Sequence, residues 1–294
     1  MSNYTFAYNG LTFGLGTQIK VNRVSGIEDL DVRLGDQAVP RGVGDVPGLA
    51  TAAAKDVVLE LSVVGDRDSQ ALSDLRQSVL LAFAPSNDEQ PLYFYEPGMP
   101  GRFLYTRVIG RVVPRDPSLA FGMKRIVIRL KAADPRIYGE ELKVRTVSIY
   151  DPVTGGADYP FDEGTDFTGG GSSTERVVVN LGDADAYPVI QFYGPGDGGT
   201  LTAVELLNTT TGESAEFSTT ILGGQVLSAY MRRIVTASQA DSPFVDLNGA
   251  NRYGDWVLPR TPFRLVPGEN VLRYLPTGTT NDTYASVSFR DTWL

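Results

Sequence analysis

Between residues 123 and 139 the chain reads MKRIVIRLKAADPRIYG, and this stretch constrains the fold more tightly than any other. Ile126, Ile128, Leu130 and Ala132 fall on one face of an extended chain, while Arg125, Val127, Arg129 and Lys131 fall on the other. A period of two marks a strand with one buried face; a helix would bring its apolar residues round at spacings of three and four. Pro135 has no N–H to give a ladder and biases Asp134 toward extended backbone, so the strand ends in Asp134-Pro135-Arg136-Ile137-Tyr138-Gly139. A domain boundary is placed there, dividing the chain into residues 1–141 and 142–294.

The first part opens with a hairpin signal, two alternating segments around Asn9-Gly10, whose residues accept the positive φ that a twisted hairpin needs. Further strands are predicted over residues 18–23, 30–34, 57–64, 91–95, 103–113 and 123–131. One helix interrupts them over residues 69–83, where Leu72, Leu75, Val79 and Phe83 form a stripe, Asp68 or Ser69 can cap, and Pro85 stops the turn. The second part has no helical period. Its predicted strands cover residues 142–150, 176–180, 189–193, 201–208, 213–219, 225–230, 233–236, 262–266, 271–274 and 285–289, spaced by Gly, Asn and Pro. Many short strands of this kind read as a sandwich or jelly roll.

A chain of 294 residues with 42% hydrophobic and 21% charged residues has the composition of an ordinary globular protein. No apolar run approaches the roughly 20 residues of a bilayer span, and MSNYTFAYNG lacks the basic and apolar regions of a secretion signal, so no membrane insertion or signal-peptide secretion is expected. A net charge of −9 argues against specific nucleic-acid binding. The absence of both Cys and His removes thiol nucleophiles, Ser-His and Cys-His pairs, Cys/His zinc sites and disulfides. No enzyme activity, catalytic residue, cofactor or metal is therefore assigned.

Candidate sites are weighed against plain structural roles. Asp158, Asp162, Glu163 and Asp166 do not have the spacing of a calcium loop and read as a solvated acidic linker before Gly169-Gly170-Gly171. Gly42-Val43-Gly44-Asp45 lacks the Gly-Lys-Ser/Thr ending of a phosphate loop. Tyr93, Phe94, Tyr95, Phe103 and Tyr105 read as cross-strand packing. Tyr253 and Trp256, beside Asn251, Arg252 and Asp255, form the candidate weak glycan contact, with a packed turn as the competing reading. Residues 35–54, rich in Gly, Pro and Ala, are too long for a hairpin turn and read as a functional or mobile loop.

The basic strand closing on Asp134-Pro135-Arg136-x-Tyr138-Gly139 resembles the end of the N-terminal domain in distal tail proteins of long-tailed siphophages. Asn180-Leu181-Gly182 leading to Tyr187-Pro188, and Leu265-Val266-Pro267-Gly268-Glu269-Asn270, resemble turns of phage tail C-terminal sandwiches, as does the ending in Trp293. The resemblance implies an N-terminal β-sandwich or split-barrel domain with one helix that forms a ring, and a C-terminal jelly-roll or galectin-like β-sandwich. It implies a structural role, a homohexameric ring hub between tail tube and tail tip or baseplate. Partners would be the chain itself, a tail tube protein and a tail tip or tail-associated protein, in a virion assembled in the host cytoplasm. It also places Arg41, Gly42, Val43, Asp45, Pro47 and Leu49 at a subunit interface. The alternative is a carbohydrate-binding or receptor-binding tail component that touches a host-surface glycan.

Overall fold

The computed structural model describes residues 4–38, 43, 45–65, 70–114, 123–149, 175–196, 198–231, 245–278 and 282–294. The chain is mainly β, with antiparallel sheets throughout. Its described residues divide into two compact units, one running to Glu141 and including Thr292–Leu294, the other made of those from Leu142 to Met231 and from Val245 to Asp291.

In the first unit β1 (Thr5–Tyr8) and β2 (Leu11–Gly14) pair across Asn9-Gly10, where φ is 46° and 79°. There follow β3 (Ile19–Ser25), β4 (Val32–Leu34), β5 (Gln37–Ala38), β6 (Asp45–Val46), β7 (Ala50–Ala52), β8 (Lys55–Val64), α1 (Gln70–Ala82), β9 (Gln90–Tyr95), β10 (Arg102–Val112), β11 (Met123–Ala132) and β12 (Ile137–Gly139). The main sheet runs β2-β1-β9-β10-β11-β8-β3. Its two end strands, β2 and β3, are consecutive in the chain and joined by residues 15–18 alone. A flat sheet of seven strands is about 29 Å wide, whereas that link spans at most about 17 Å, so the sheet must curl. The curl is taken up in β10, which pairs with β9 along its first half and β11 along its second, with a register shift between Val108 and Gly110. Inside lie Leu59, Leu61, Ile126, Ile128 and Leu130, and α1 adds Leu72 and Val79. Phe83 stacks on Tyr8 at 4.8 Å and meets Phe13 edge-on at 5.7 Å. The helix and its buried stripe fall where the 3.6-residue period puts them.

The second unit contains β13 (Lys143–Ser148), β14 (Arg176–Asn180), β15 (Val189–Tyr193), β16 (Thr200–Asn208), β17 (Glu213–Phe217), β18 (Ile221–Leu222), β19 (Val226–Tyr230), β20 (Val245–Leu247), β21 (Ala250–Asn251), β22 (Gly268–Gly278) and β23 (Tyr284–Phe289). One sheet has the order β13-β23-β15-β19-β20-β21 and the other β14-β22-β16-β17, with β18 on β16. Inward residues of both, among them Ile190, Phe192, Leu206, Phe217, Tyr274 and Val287, form one core, which makes the unit a sandwich. Two turn phrases owe their form to buried Asn side chains. Asn180 Nδ2 donates to the carbonyls of Ala184 (2.8 Å) and Leu265 (3.2 Å), while Asn270 Nδ2 donates to those of Val266 (2.8 Å) and Gly268 (3.1 Å). Residues 262–266, predicted as a strand, form no strand; Leu265 makes a single bridge to Ala186. The predicted strand at 233–236 lies outside the described residues.

The last strand, β24 (Thr292–Trp293), departs from expectation. The sequence places the C-terminus at the end of the second sandwich, yet β24 pairs with β12, setting Trp293 opposite Ile137 and Thr292 opposite Tyr138. The Arg102 guanidinium lies 4.2 Å from the Trp293 ring centroid. The strand is two residues long, too short to carry a period that sequence could reveal, and the pairing joins residues far apart in the chain.

Candidate interface arm

The chain leaves the first unit's sheet at Gly26, whose φ is 88° and where any Cβ would overlap the Asp56 carbonyl. Lys55 sits at the return, 3% exposed, with its Nζ donating to the Ile27 carbonyl at 2.9 Å. The Ala53 N–H donates to the Asp31 carbonyl at 2.7 Å and closes the base. Beyond it β4 pairs with β7, Val32 opposite Ala52 and Leu34 opposite Ala50. β5 then pairs with β6, Gln37 opposite Val46 and Ala38 opposite Asp45. Between the two ladders, Gly35 and Asp36 on one side face Pro47, Gly48 and Leu49 on the other. That one-residue excess is a bulge within a single ribbon. The Gly48 N–H donates to Asp36 Oδ1 at 2.8 Å, and a Cβ on Gly48 would overlap the Gly35 carbonyl, so the close approach requires glycine.

The segment read from sequence as a loop is thus a two-stranded arm with very little of itself buried. Leu34 is 66% exposed and Leu49 81%, and Leu30, Val32 and Val46 are each about half exposed. A lone two-stranded ribbon is at best marginally stable in water, and contiguous exposed apolar residues mark an interaction surface. Of the interface residues named from sequence, Val43, Pro47 and Leu49 are exposed on the arm and Asp45 lies in β6. Arg41 and Gly42 lie outside the described residues. Leu30, Val32, Leu34 and Val46 were not singled out, although the alternation Leu30-x-Val32-x-Leu34 was the available signal.

At the arm's base a shallow cleft of about 200 Å³ is lined by Tyr4, Phe6, Val24, Ile27 and Phe94. Tyr4 donates its hydroxyl to Glu96 at 3.1 Å, and that hydrogen bond together with the Glu96 charge raises the Tyr4 pKa. Among the described residues no three acids cluster as a metal site.

The glycan candidate fares differently. Tyr253 belongs to a 3-10 turn, Tyr253–Asp255, and meets Trp256 edge-on at 6.0 Å. Trp256 is 2% exposed and packs on Phe217 at 5.6 Å, so its faces are spent in the core. The Arg260 guanidinium lies 5.1 Å from the Tyr253 ring centroid. A stacking platform of both rings does not exist; the competing packed-turn reading describes Trp256. Tyr93, Phe103, Tyr105 and Tyr138 form a cross-strand cluster with centroids 5.2–5.9 Å apart. The acidic segment at 158–166 and Gly169-Gly170-Gly171 lie outside the described residues.

No family model matches the sequence, and no curated protein matches it. The crystal structure of the Dit protein of phage SPP1, a paradigm of the hub adsorption apparatus in phages infecting Gram-positive bacteria, is similar over 100% of both chains, with TM-score 0.64 and 15% identity. The chain has the Dit fold. Structures of the phage p2 baseplate in its activated conformation, with strontium and with calcium, match 97% of each chain at TM-score 0.48 and 12% identity. The Dit fold accounts for both units together, since the likeness to the SPP1 protein leaves no part of the chain uncovered.

Proposed function

We propose that this chain is a structural subunit of a phage tail, a distal tail protein whose copies close into a sixfold ring hub between tail tube and tail tip. The observation that carries the reading is the arm, an apolar ribbon with no core of its own, standing on a unit of Dit fold. Ordering such a ribbon costs conformational entropy, and docking it on a neighbouring copy recovers apolar burial in return. A head-to-tail contact of this kind generates a closed ring when its rotation closes. The role is assembly and not catalysis: a chain without His or Cys lacks the usual nucleophile and base pairs. Its place is the virion, with the tail tube and tail tip proteins as further partners.

The arm can be removed cleanly because Asp31 and Ala53 are already hydrogen-bonded across its base. Replacing residues 32–52 by Asn-Gly should leave the first unit folded, with an unchanged far-UV circular dichroism spectrum, and should abolish assembly in size-exclusion chromatography with light scattering. Rings of unchanged stability from the armless chain would refute the reading.

A further inference from the structure

The outward face of the six-stranded sheet in the second unit is almost free of charge. Buried and outward residues alternate along its strands, with three outward positions on each of β13, β23, β15 and β19 and one on β20. Asp246 is the one charged residue among them, whereas about 25–35% of a typical surface is Asp, Glu, Lys or Arg. Arg145, on the edge strand β13, takes the opposite register. The contrast exists within this chain, since outward positions of β11 carry Arg125, Arg129 and Lys131. In place of charge, the second unit's face sets hydroxyl and amide groups between two tyrosine sites.

Tyr193 lies opposite Tyr284 across β15 and β23, and the two rings stack at 4.5 Å and 18°. Stacking takes one face of each ring and leaves the other, and Tyr284 is 37% exposed. Gln191, on the same side of β15, sits between Ser286 of β23 and Ser228 of β19. Its Nε2 donates to Ser228 Oγ and its Oε1 accepts from the Tyr193 hydroxyl, both at 3.4 Å, long bonds that a better-placed partner can replace. The hydroxyls of Tyr284, Ser286 and Tyr230 bond to no other described residue. Tyr230 stands opposite Val189, about 13 Å from Tyr193 along the strand direction. A pyranose ring has a face of C–H groups that packs on an aromatic ring, and a perimeter of hydroxyls that donate and accept as Ser, Tyr and Gln side chains do. A phosphate polymer needs clustered cations, which this face lacks. We propose that the face binds a short neutral oligosaccharide, one sugar packed on the Tyr193–Tyr284 pair with its hydroxyls on Gln191, Ser228 and Ser286, and the chain running toward Tyr230. An uncharged surface thus meets an uncharged ligand. The proposal is independent of the arm, and it moves the glycan contact from the packed turn at Tyr253 and Trp256 to a sheet face.

The test is saturation-transfer NMR on the full-length chain with maltotriose, cellotriose and tri-N-acetylchitotriose, followed by titration of each sugar that receives signal. At least one should bind. Tyr284→Ala and Gln191→Ala should each weaken it at least about tenfold with an unchanged circular dichroism spectrum, while Tyr253→Ala leaves it as in the parent. Tyr230→Ala serves if the Tyr284 variant does not fold, with affinity lost for the trisaccharide and kept for the corresponding disaccharide. No transfer to any of the three sugars, or binding that survives both Tyr284→Ala and Gln191→Ala, overturns the site. Binding lost in Tyr253→Ala alone returns the contact to the turn and overturns it too. A Tyr284→Ala chain that keeps the sugar but changes the mass of the assembled species makes the face a contact between copies, which also overturns the proposal. A parent that stays monomeric yet binds sugar through Tyr284 supports this site while overturning the ring.

Discussion

Asp134 holds the turn that ends β11. Its Oδ1 accepts from the Arg136 backbone N–H (3.1 Å) and Nε (2.8 Å), and its Oδ2 from Arg136 Nη2 (3.1 Å) and the Tyr138 hydroxyl (2.7 Å). The phrase Asp-Pro-Arg-x-Tyr is therefore one hydrogen-bonded knot, which explains why those residue types sit at those spacings. Asp134→Ala removes all four bonds from a site where the carboxylate is 16% exposed. The expected cost is about 1–3 kcal/mol, read as a lower urea midpoint for the first unit. Tyr274 is a second case. Burial pushes its hydroxyl up to about 12, and the hydroxyl shares a hydrogen bond with Thr283 at 3.0 Å. The folded chain then keeps a proton that the unfolded chain releases near 10. Stability present below pH 10 is lost between pH 10 and 12, by up to about 1.4 kcal/mol per pH unit. Urea titrations at pH 9 and 11 should show this fall in the parent, and a shallower fall in Tyr274→Phe; equal falls would mean that Tyr274 is not the group concerned. At this scale sequence located the Asp134 turn but could not tell Trp256 from an exposed ring, because burial is decided by residues such as Phe217 that the fold brings up from afar.

Among the elements, α1 and the long strands follow from local period, and both were legible. The arm was half legible. Leu30-x-Val32-x-Leu34 shows a strand, but its returning partner is Pro-, Gly- and Ala-rich, with low β-propensity, and is held by pairing with β4 and by the close approach of Gly48 to Gly35. For β24 the sequence showed an ending in Trp293 but not the sheet that it joins, since two residues carry no period. Its docking makes a direct prediction: Trp293→Ala removes the ring under the Arg102 guanidinium and the cross-strand contact with Ile137, and should destabilise the first unit by about 1–3 kcal/mol. Partial proteolysis that separates the units should also leave residues 1–141 less stable alone than with the C-terminal peptide added. An unchanged midpoint for Trp293→Ala would show β24 to be an incidental contact.

For the molecule as a whole, the mainly-β class came from strand period and from the lack of helical stripes, whereas sheet order did not, since β2 and β3 meet only through the curl of seven strands. The arm's proposed role was not legible from composition either; it is argued from the exposure of Leu34 and Leu49 on a ribbon that nothing in its own chain covers among the described residues. Assembly is the claim on which the account stands, and mass in solution tests it most directly. Light scattering on the purified full-length chain should give a closed species of about 190 kDa, six copies of the 31.8 kDa chain, and the armless chain should give the monomer. An intact chain that stays at 31.8 kDa at tens of micromolar, or an armless chain that forms the same ring, would contradict it.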